Sequence, residues 1–249
     1  NLSHRFRRPM GGDPLALFAR LVELHPAPYA GFLRWRGGAL LSASPELLLA
    51  FTHDEHGALA RTRPIKGTSA RGATDTEDRA QRAALLASEK DRSELAMIVD
   101  LERNDLGRCA RTGSVVVGEF PALESYASVH HLAADVTARP RAGVGALEVL
   151  AALFPGGSIT GAPKLRSMEV IAELEGEGRG LAYGSLLALD TRGEAWANLL
   201  IRTLLGRARG PGDEVSFRGG GGITWGSDPA AEEAETEAKG RLLARATDG

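Results

Sequence analysis

In the first quarter of the chain, hydrophobic residues are grouped in short stretches bounded by turn residues, a pattern typical of β-strands. Gly-Gly and Ser-Pro pairs separate these stretches and mark turns. The pattern predicts strands over Tyr29–Trp35, Ala39–Ser42 and Glu46–Phe51, and a strand that ends in a glycine loop within Arg61–Thr68. Short strands joined by tight turns indicate antiparallel pairing.

Apolar residues at helical spacing occupy the longer stretches between the groups of strands. They predict helices over Pro14–Leu24, Thr76–Gly107, Gly145–Phe154, Pro163–Gly176 and Asp228–Arg245. Other stretches predict further strands, over Ser114–Phe120, Val129–Thr137, Leu181–Leu189, Ala195–Leu205 and Val215–Phe217. Because strands come in runs and helices do not alternate with them one by one, we predict an α+β fold, a layered sandwich of mainly antiparallel sheets flanked by helices. No long linker divides the chain, so we predict one domain over residues 1–249.

Composition narrows the classes of function. The chain has 249 residues, 43% of them hydrophobic, which is enough for a sizeable core. Its net charge of -2, with both signs interspersed, provides no basic patch for nucleic acid or an anionic membrane. The single cysteine, Cys109, excludes an internal disulfide, and no apolar run is long enough for a membrane span. We therefore predict a cytoplasmic protein with neither a nucleic-acid nor a membrane partner.

Lysine is rare in this chain. Of its 30 cationic side chains only four are lysine: Lys66, Lys90, Lys164 and Lys239. Arginine stays protonated, whereas a lysine amine can lose its proton and attack an electrophile. Lys66 lies next to Gly67 in a predicted loop, so it is a candidate for covalent or acid–base chemistry. The alternative is that it is one of the few lysines left by the arginine bias.

Two predicted helices carry carboxylates on one face. Glu232 and Glu235 are three residues apart, with Lys239 four further on, and Asp91 and Glu94 repeat the three-residue spacing. Mg²⁺ prefers one or two carboxylates together with waters and an anionic substrate, so two such pairs facing each other could hold the ion. Glutamates at this spacing are also common on solvated helices, and neither pair alone indicates a metal.

Three glycine-rich stretches could present backbone N–H groups to an anion: Gly67-Thr68, Gly156–Gly161 and Gly220–Gly222. The second runs into a predicted helix at Pro163, where the helix dipole favours a carboxylate or phosphate. It matches neither a Walker loop nor a dinucleotide fingerprint. Glycine-rich turns without an anion are the more common case, so these stretches alone do not establish a site.

Two further features are candidate chemistry. Arg202 lies between apolar neighbours in a predicted strand, and a buried arginine needs a carboxylate partner such as a substrate. His130 and His131 are adjacent in a strand, so their rings point to opposite faces and only one can face a site. A histidine there is eligible as an acid or base, although a structural role is more common.

Taken together, the motifs resemble those of the chorismate-utilising enzymes over nearly the whole chain. The strongest segments are Ser44–Glu46, Arg63–Thr68, Glu94–Leu101, Arg103–Asp105, His130–Leu132, Phe154–Lys164, Ile201–Thr203 and Gly220–Ile223. The stretch Phe154–Lys164 is highly specific for the family. The resemblance implies the family's α+β fold. Because family members carry a further long N-terminal stretch, it also implies that this chain is the C-terminal part of a longer one.

Lys66 resembles the aminodeoxychorismate synthase branch of the family, which carries Lys in the Pro-Ile-x-Gly-Thr loop where anthranilate synthases typically carry Ala. In that branch the lysine amine attacks C2 of chorismate and the C4 hydroxyl departs; ammonia then adds at C4 and expels the lysine. The resemblance thus implies amination of chorismate to 4-amino-4-deoxychorismate, on the para-aminobenzoate and folate route. A glutamine amidotransferase partner would supply the ammonia.

The resemblance also implies roles for other residues that match family positions. Glu94 and Glu235 would be the principal Mg²⁺ ligands, with Glu232 and Asp91 close by. The residues that would hold the substrate carboxylates are Gly67, Thr68, Tyr183, Arg202, Gly220, Gly221, Gly222 and Lys239. Glu46 would assist departure of the C4 hydroxyl, and His131 would handle or orient a proton.

Three alternatives remain open at the level of sequence. Anthranilate synthases and the isochorismate or salicylate synthases share the scaffold and the metal, and Lys66 argues against the first of them. A different class, a non-catalytic chorismate-binding module, predicts binding without turnover. The product formed from chorismate distinguishes these alternatives.

Overall fold

The structure, a computed structural model, describes residues 1–127, 129–207 and 213–247; at positions 242 and 243 it describes the backbone only. The chain forms two compact units. The first unit comprises Asn1–Glu46, Ile159–Leu186 and Asn198–Gly249, and the second comprises Leu47–Ser158 and Leu187–Ala197.

The elements follow one another in runs of strands and helices. The strands are β1 (Leu2–Pro9), β2 (Tyr29–Trp35), β3 (Gly38–Ser44), β4 (Leu47–Asp54), β5 (Gly57–Arg63), β6 (Ile65–Ala70), β7 (Val116–Val117), β8 (Ala122–Ser125), β9 (Val129–Ala133), β10 (Val136–Ala138), β11 (Leu187–Leu189), β12 (Ala195–Asn198), β13 (Thr203–Arg207) and β14 (Glu214–Gly221). The helices are α1 (Pro14–Leu24), α2 (Asp75–Ala87), α3 (Glu89–Gly107), α4 (Ala146–Leu153), α5 (Lys164–Glu175) and α6 (Pro229–Thr247), with a short 3-10 turn at Gly157–Ile159.

The first unit is built on an antiparallel five-stranded sheet in the order β1-β14-β13-β3-β2. Helices α1 and α6 pack against this sheet. In its core, Leu17 and Leu21, four residues apart on α1, meet Leu41, Leu204 and Phe217 from three neighbouring strands. Full burial of side chains of this size contributes about 1.5–3 kcal/mol each.

The second unit contains two sheets, one ordered β11-β12-β4-β5-β10-β7 and the other β6-β9-β8. Helix α3 packs against β6 and β9 of the smaller sheet. Four apolar residues on α3 are buried at helical spacing, namely Leu95, Ile98, Val99 and Leu106. The α+β class with antiparallel sheets, predicted because strands come in runs and helices do not alternate with them one by one, is confirmed.

The continuous helical pattern predicted over Thr76–Gly107 is wrong at one point, because the structure divides it into α2 and α3 at Ser88. Ser88 has φ -66° and ψ 106°, outside the helical region, and its hydroxyl accepts a hydrogen bond from the backbone N–H of Asp91. Thr74 caps α2 in the same way, through a capping box with Glu77. Side-chain oxygens that satisfy the first N–H groups of a helix fix where it begins.

Several strand predictions also need correction. The predicted strand over Ser114–Phe120 shrinks to β7, and Val129–Thr137 divides into β9 and β10. The predicted strand over Ala195–Leu205 is interrupted because the N–H groups of Leu199 and Leu200 bond to the carbonyls of Glu46 and Gly184. Of the strand predicted over Leu181–Leu189, only Leu187–Leu189 form a strand, β11. Strands β1 and β8 were not predicted.

No helix within the described ranges, from 1 to 247 with their gaps, has the length and apolar character needed to cross a bilayer.

Candidate active site

Lys66 and Glu94 form an ion pair in the second unit. The Nζ of Lys66, on β6, lies 3.6 Å from Oε2 of Glu94, on α3, and the two side chains are only 15% and 13% exposed. The other carboxylate oxygen, Oε1, is buried and accepts no hydrogen bond from the residues that the structure describes. The structure therefore brings the predicted nucleophile and a predicted metal ligand together.

A bulge at Gly67 sets the course of β6 beside this pair. Lys66 pairs with Leu132 of β9, and Thr68 pairs with His131, the residue before Leu132. Gly67 is therefore one extra residue in β6. Gly67 has φ +73°, a left-handed conformation that glycine adopts without cost. Bulges of this kind are common beside active sites, where they redirect a side chain.

Asp91 lies against this bulge, in contact with the Gly67 backbone, one turn before Glu94 on α3. The two predicted carboxylate ligands of the second unit are thus placed on the side of α3 that packs against β6. The three-residue spacing had predicted only that the two side chains share one face of the helix.

His131 holds the residues after the bulge. Its ring is 1% exposed, and its Nδ1 lies 2.9 Å from Oγ1 of Thr68 and 3.3 Å from the carbonyl oxygen of Gly67. With its proton on Nδ1 the ring donates to the carbonyl; in the other tautomer it accepts from the Thr68 hydroxyl. In either tautomer His131 contacts residues predicted to bind the substrate carboxylates, which the structure places in a bulge of β6 and not in a loop.

His130 points elsewhere, as expected for the neighbouring residue of a strand. Its Nε2 lies 3.0 Å from Oδ1 of Asp78 and its Nδ1 lies 2.8 Å from Oγ of Ser125. Asp78 also accepts hydrogen bonds from Arg71 and from the Gly72 backbone. The hydrogen bond from Arg71, and next those from Gly72 and His130, hold the pKa of Asp78 well below its usual range. Sequence reasoning did not single out Asp78.

Arg63 is a second support that sequence reasoning missed. Its guanidinium, 12% exposed, forms ion pairs with Asp135 and Glu124. Burial alone would lower the pKa of Arg63, but hydrogen bonds to the two carboxylates raise it. Since Arg63 ends β5 just before β6 begins, this cluster fixes the start of the strand that carries Lys66.

In the first unit, Arg202 and Tyr183 share an unusual backbone conformation. Among the described residues they are the two non-glycine residues with positive φ, at 49° and 62°. Such conformations cost of order 1–3 kcal/mol each and are concentrated at functional sites. Burial lowers the pKa of Arg202 and raises the pKa of Tyr183, whose ring lies 4.8 Å from the guanidinium of Arg179.

Arg202 is a half-buried cation whose guanidinium forms no ion pair with a carboxylate in the described part of the chain. Burying a charge is costly unless a partner of opposite charge compensates it. Both the strained backbone and the uncompensated charge support the prediction that Arg202 binds an anionic ligand.

Lys239 and the glycines of β14 have partners within the first unit. The Nζ of Lys239 lies 2.8 Å from the carbonyl oxygen of Gly220 and 2.7 Å from Oε1 of Glu235. A Cβ on Gly220 would lie 2.0 Å from the carbonyl oxygen of Leu2 in the paired strand. The close approach of β1 therefore accounts for this glycine on structural grounds. Gly221 is the last residue of β14, and Gly222 follows the strand.

Glu232 and Glu46 are the two predicted acidic site residues of the first unit that are buried. Glu232 is 8% exposed and accepts a hydrogen bond of 2.8 Å from Oγ of Ser227. Glu46 is 4% exposed; its backbone N–H donates to Oγ of Ser44 and its carbonyl accepts from Leu199.

The four predicted metal ligands are divided between the units. Asp91 and Glu94 belong to the second unit, and Glu232 and Glu235 to the first. Within the described ranges, no three or more His, Cys, Asp or Glu side chains are grouped closely enough to hold a metal ion. The donors themselves suit Mg²⁺, because they are carboxylates and Oε1 of Glu94 accepts no hydrogen bond from the described residues.

Known proteins that are similar in sequence to this chain carry the names of different enzymes. The chain is 44% identical over 248 residues to a protein of Haloarcula marismortui named anthranilate synthase component 1 1, covering 100% of this chain and 49% of that protein. It is 40% identical over 246 residues to the aminodeoxychorismate synthase component 1 of Bacillus subtilis, covering 99% of this chain and 51% of that protein. The chain thus spans about half the length of these curated relatives.

Among solved structures, the anthranilate synthase component I of Streptococcus pneumoniae superposes with a TM-score of 0.85 at 32% sequence identity. The match covers 97% of this chain and 52% of that one. A family model described as chorismate binding enzyme matches residues 1–245. The chain therefore belongs to the chorismate binding enzyme family.

Proposed function

We propose that this chain aminates chorismate at C4, giving 4-amino-4-deoxychorismate. The observation that carries the proposal is the placement of Lys66. Its amine is sheltered from solvent beside Glu94, on a bulged strand next to Thr68 and His131. A lysine in such a position suits covalent catalysis, and several relatives at 40–44% identity are named aminodeoxychorismate synthase.

The proposed reaction proceeds by two displacements through the conjugated ring. The neutral amine of Lys66 attacks C2; the two double bonds each shift one position, and the C–O bond at C4 breaks. The hydroxyl leaves as water after it takes a proton, for which we propose Glu46 as the source. Ammonia then attacks C4, the double bonds shift back, and the C2–N bond to Lys66 breaks. The net change replaces one hydroxyl by one amino group.

The remaining residues would bind and orient the substrate. Arg202, with its uncompensated charge, suits a substrate carboxylate. We propose that Gly67, Thr68, Tyr183, Lys239 and the glycines 220–222 complete the carboxylate contacts, and that His131 keeps Thr68 in place or relays a proton. When bound by Glu94, Glu235, Glu232 and Asp91, Mg²⁺ would neutralise the ring carboxylate.

The partner is also part of the proposal. A glutamine amidotransferase would supply ammonia in the cytoplasm, and the chain itself would act only on chorismate and ammonia. Free ammonium at high concentration should therefore replace the partner in an assay.

The second candidate is anthranilate synthase, favoured by the relatives with that name at 41–44% identity. In that reaction nitrogen would be added directly at C2, and Lys66 would have no covalent role. Isochorismate synthesis, the activity named for a solved structure from Bacillus anthracis at 25% identity, is a third candidate.

The identity of the product tests the proposal. The protein is incubated with chorismate, Mg²⁺ and ammonium, and the products are resolved by mass and by fluorescence. Aminodeoxychorismate without anthranilate is the expected result. Fluorescent anthranilate would overturn the assignment of the branch, and an isomer without nitrogen would indicate isochorismate chemistry. Binding without turnover, with ammonium present, would indicate a non-catalytic module.

A further inference from the structure

The carboxylate of Glu94 already has a cationic partner in this structure. The Lys66 ammonium lies 3.6 Å from Oε2, too far for a direct hydrogen bond but close enough for a strong charge interaction in a site where both side chains are about 85% shielded from solvent. Oε1 accepts no hydrogen bond from the residues described. Glu94 is therefore neutralised in charge but poorly satisfied in hydrogen bonding.

A carboxylate in this state favours a partner that binds its oxygens directly. A buried acceptor without a hydrogen bond costs about 1–3 kcal/mol, more when the group is charged. A divalent cation satisfies such oxygens through coordination and brings twice the charge of an ammonium. The Lys66 ammonium and the metal ion would therefore bind the same carboxylate of Glu94. Two cations at one carboxylate in a shielded site repel each other.

We propose that Lys66 and the divalent cation compete for Glu94, so that metal binding displaces the lysine from its ion pair. The inference rests on the proposed metal role of Glu94. It adds that, without the metal, the ion pair with Glu94 holds Lys66 away from the substrate. Metal binding would then free the Lys66 side chain to approach the substrate. The order of events would then be metal first and attack second.

The competition has a consequence that can be measured without any reaction. Coupling between two ligands is reciprocal, so whatever removes the Lys66 charge must tighten metal binding. Lys66→Met removes the charge and keeps the length of the side chain, and Lys66→Ala is a second version in case Met does not fold. Lys66→Arg keeps the charge. The exposed Lys90, at the start of the same helix as Glu94, provides a matched control as Lys90→Met.

The experiment titrates each folded variant of the full 249-residue chain with Mn²⁺ in the absence of chorismate. Electron paramagnetic resonance counts the free ion, and circular dichroism verifies folding. We expect about tenfold tighter binding in Lys66→Met and Lys66→Ala, within the usual range of coupling between sites. Lys66→Arg and Lys90→Met should both bind Mn²⁺ like the unmodified chain.

A double-variant cycle with Glu94→Gln assigns the effect to this pair. In the Glu94→Gln background, the Lys66→Met substitution should no longer tighten Mn²⁺ binding. Equal affinity in the unmodified chain and Lys66→Met, with weaker binding in Glu94→Gln, would overturn the competition and leave the metal role of Glu94 intact. Affinity that is unaffected by Glu94→Gln, or no binding in any variant, would overturn that metal role and the inference with it. The product assay remains a separate test of the amination itself.

Discussion

The backbone of Gly67 lies directly against the side chain of Asp91. A Cβ added at position 67 would be 3.0 Å from both Cβ and Cγ of Asp91, closer than nearly all such contacts in proteins. Gly67 also has φ +73°. Two independent constraints, backbone conformation and close packing, therefore require glycine where β6 bulges next to Lys66.

Gly67→Ala should consequently destabilise the protein and misplace Lys66. The left-handed conformation costs a non-glycine residue about 1–2 kcal/mol, and overpacking against α3 adds about 1–3 kcal/mol. Chemical denaturation measures the sum. Gly113→Ala is a matched control, because Gly113 has φ +77° but open space around it, so only the first cost applies. Equal losses for both variants would show that the contact with Asp91 contributes nothing.

Lys66→Ala should abolish amination at C4. The proposed reaction needs an amine that forms and then leaves a C2–N bond, so its removal should lower the rate of aminodeoxychorismate formation by at least about 10³-fold. Mass spectrometry of the protein quenched during turnover should show a chorismate-derived adduct on Lys66, and Lys90→Ala should retain both adduct and activity. Normal amination by Lys66→Ala would remove the covalent role.

The parts of the fold that the sequence predicts are those determined by local patterning. Apolar spacing along α3 predicted the buried face that includes Leu95 and Ile98, and the short hydrophobic stretch from Tyr29, bounded by turn residues, predicted β2, because both depend on neighbours a few residues away. Strand β1 was not predicted, because its sequence contains several arginines and a histidine. It is a strand by virtue of its pairing with β14, more than 200 residues later.

The site divides in the same way. Lys66, Glu94 and His131 were candidates from the rarity of lysine, from helical spacing and from a histidine pair in a predicted strand, and the resemblance to a family then implied their roles. The buried polar contacts of the two units left no local signal. In the second unit Asp78 and His130 are 52 residues apart, and in the first unit Ser3 and Glu175 are 172 residues apart. A carboxylate on a helix looks the same in sequence whether it faces solvent or a buried guanidinium, so only the tertiary structure distinguishes the two cases.

Arg202→Leu should weaken substrate binding without loss of stability. The guanidinium is half-buried and uncompensated, so replacement by an apolar side chain should leave the unfolding midpoint unchanged or raise it. Loss of a charge-assisted hydrogen bond to a carboxylate costs about 1.5–3 kcal/mol, which predicts a rise in KM for chorismate of about 10- to 100-fold. Arg207→Leu, an exposed arginine on β13, should change neither quantity. An unchanged KM in Arg202→Leu would exclude Arg202 from the substrate contacts.

Glu175 is the centre of a buried ionic cluster in the first unit. It pairs with Arg218, each side chain being 3% exposed, and with Arg179, and it accepts hydrogen bonds from the backbone and hydroxyl of Ser3. Burial would raise the pKa of Glu175, but the hydrogen bonds from Arg179 and Ser3 outweigh it, and the pKa lies below its ordinary value of 4.5.

Glu175→Gln should therefore destabilise the protein in a manner that depends on pH. Loss of the charge leaves Arg218 buried without full compensation, for which about 3–5 kcal/mol is typical. Because the folded state depresses the pKa of Glu175, the carboxylate contributes its full stability above pH 4.5 and loses that contribution as the pH falls through the depressed value. The difference in unfolding free energy between the two proteins should accordingly be full at pH 7 and shrink below pH 4.5. Glu169→Gln, which breaks an exposed pair with Arg166 on the same helix, should cost at most about 1 kcal/mol at any pH. A difference that stays constant down to the acid limit would mean that packing, and not the charge of Glu175, stabilises the cluster.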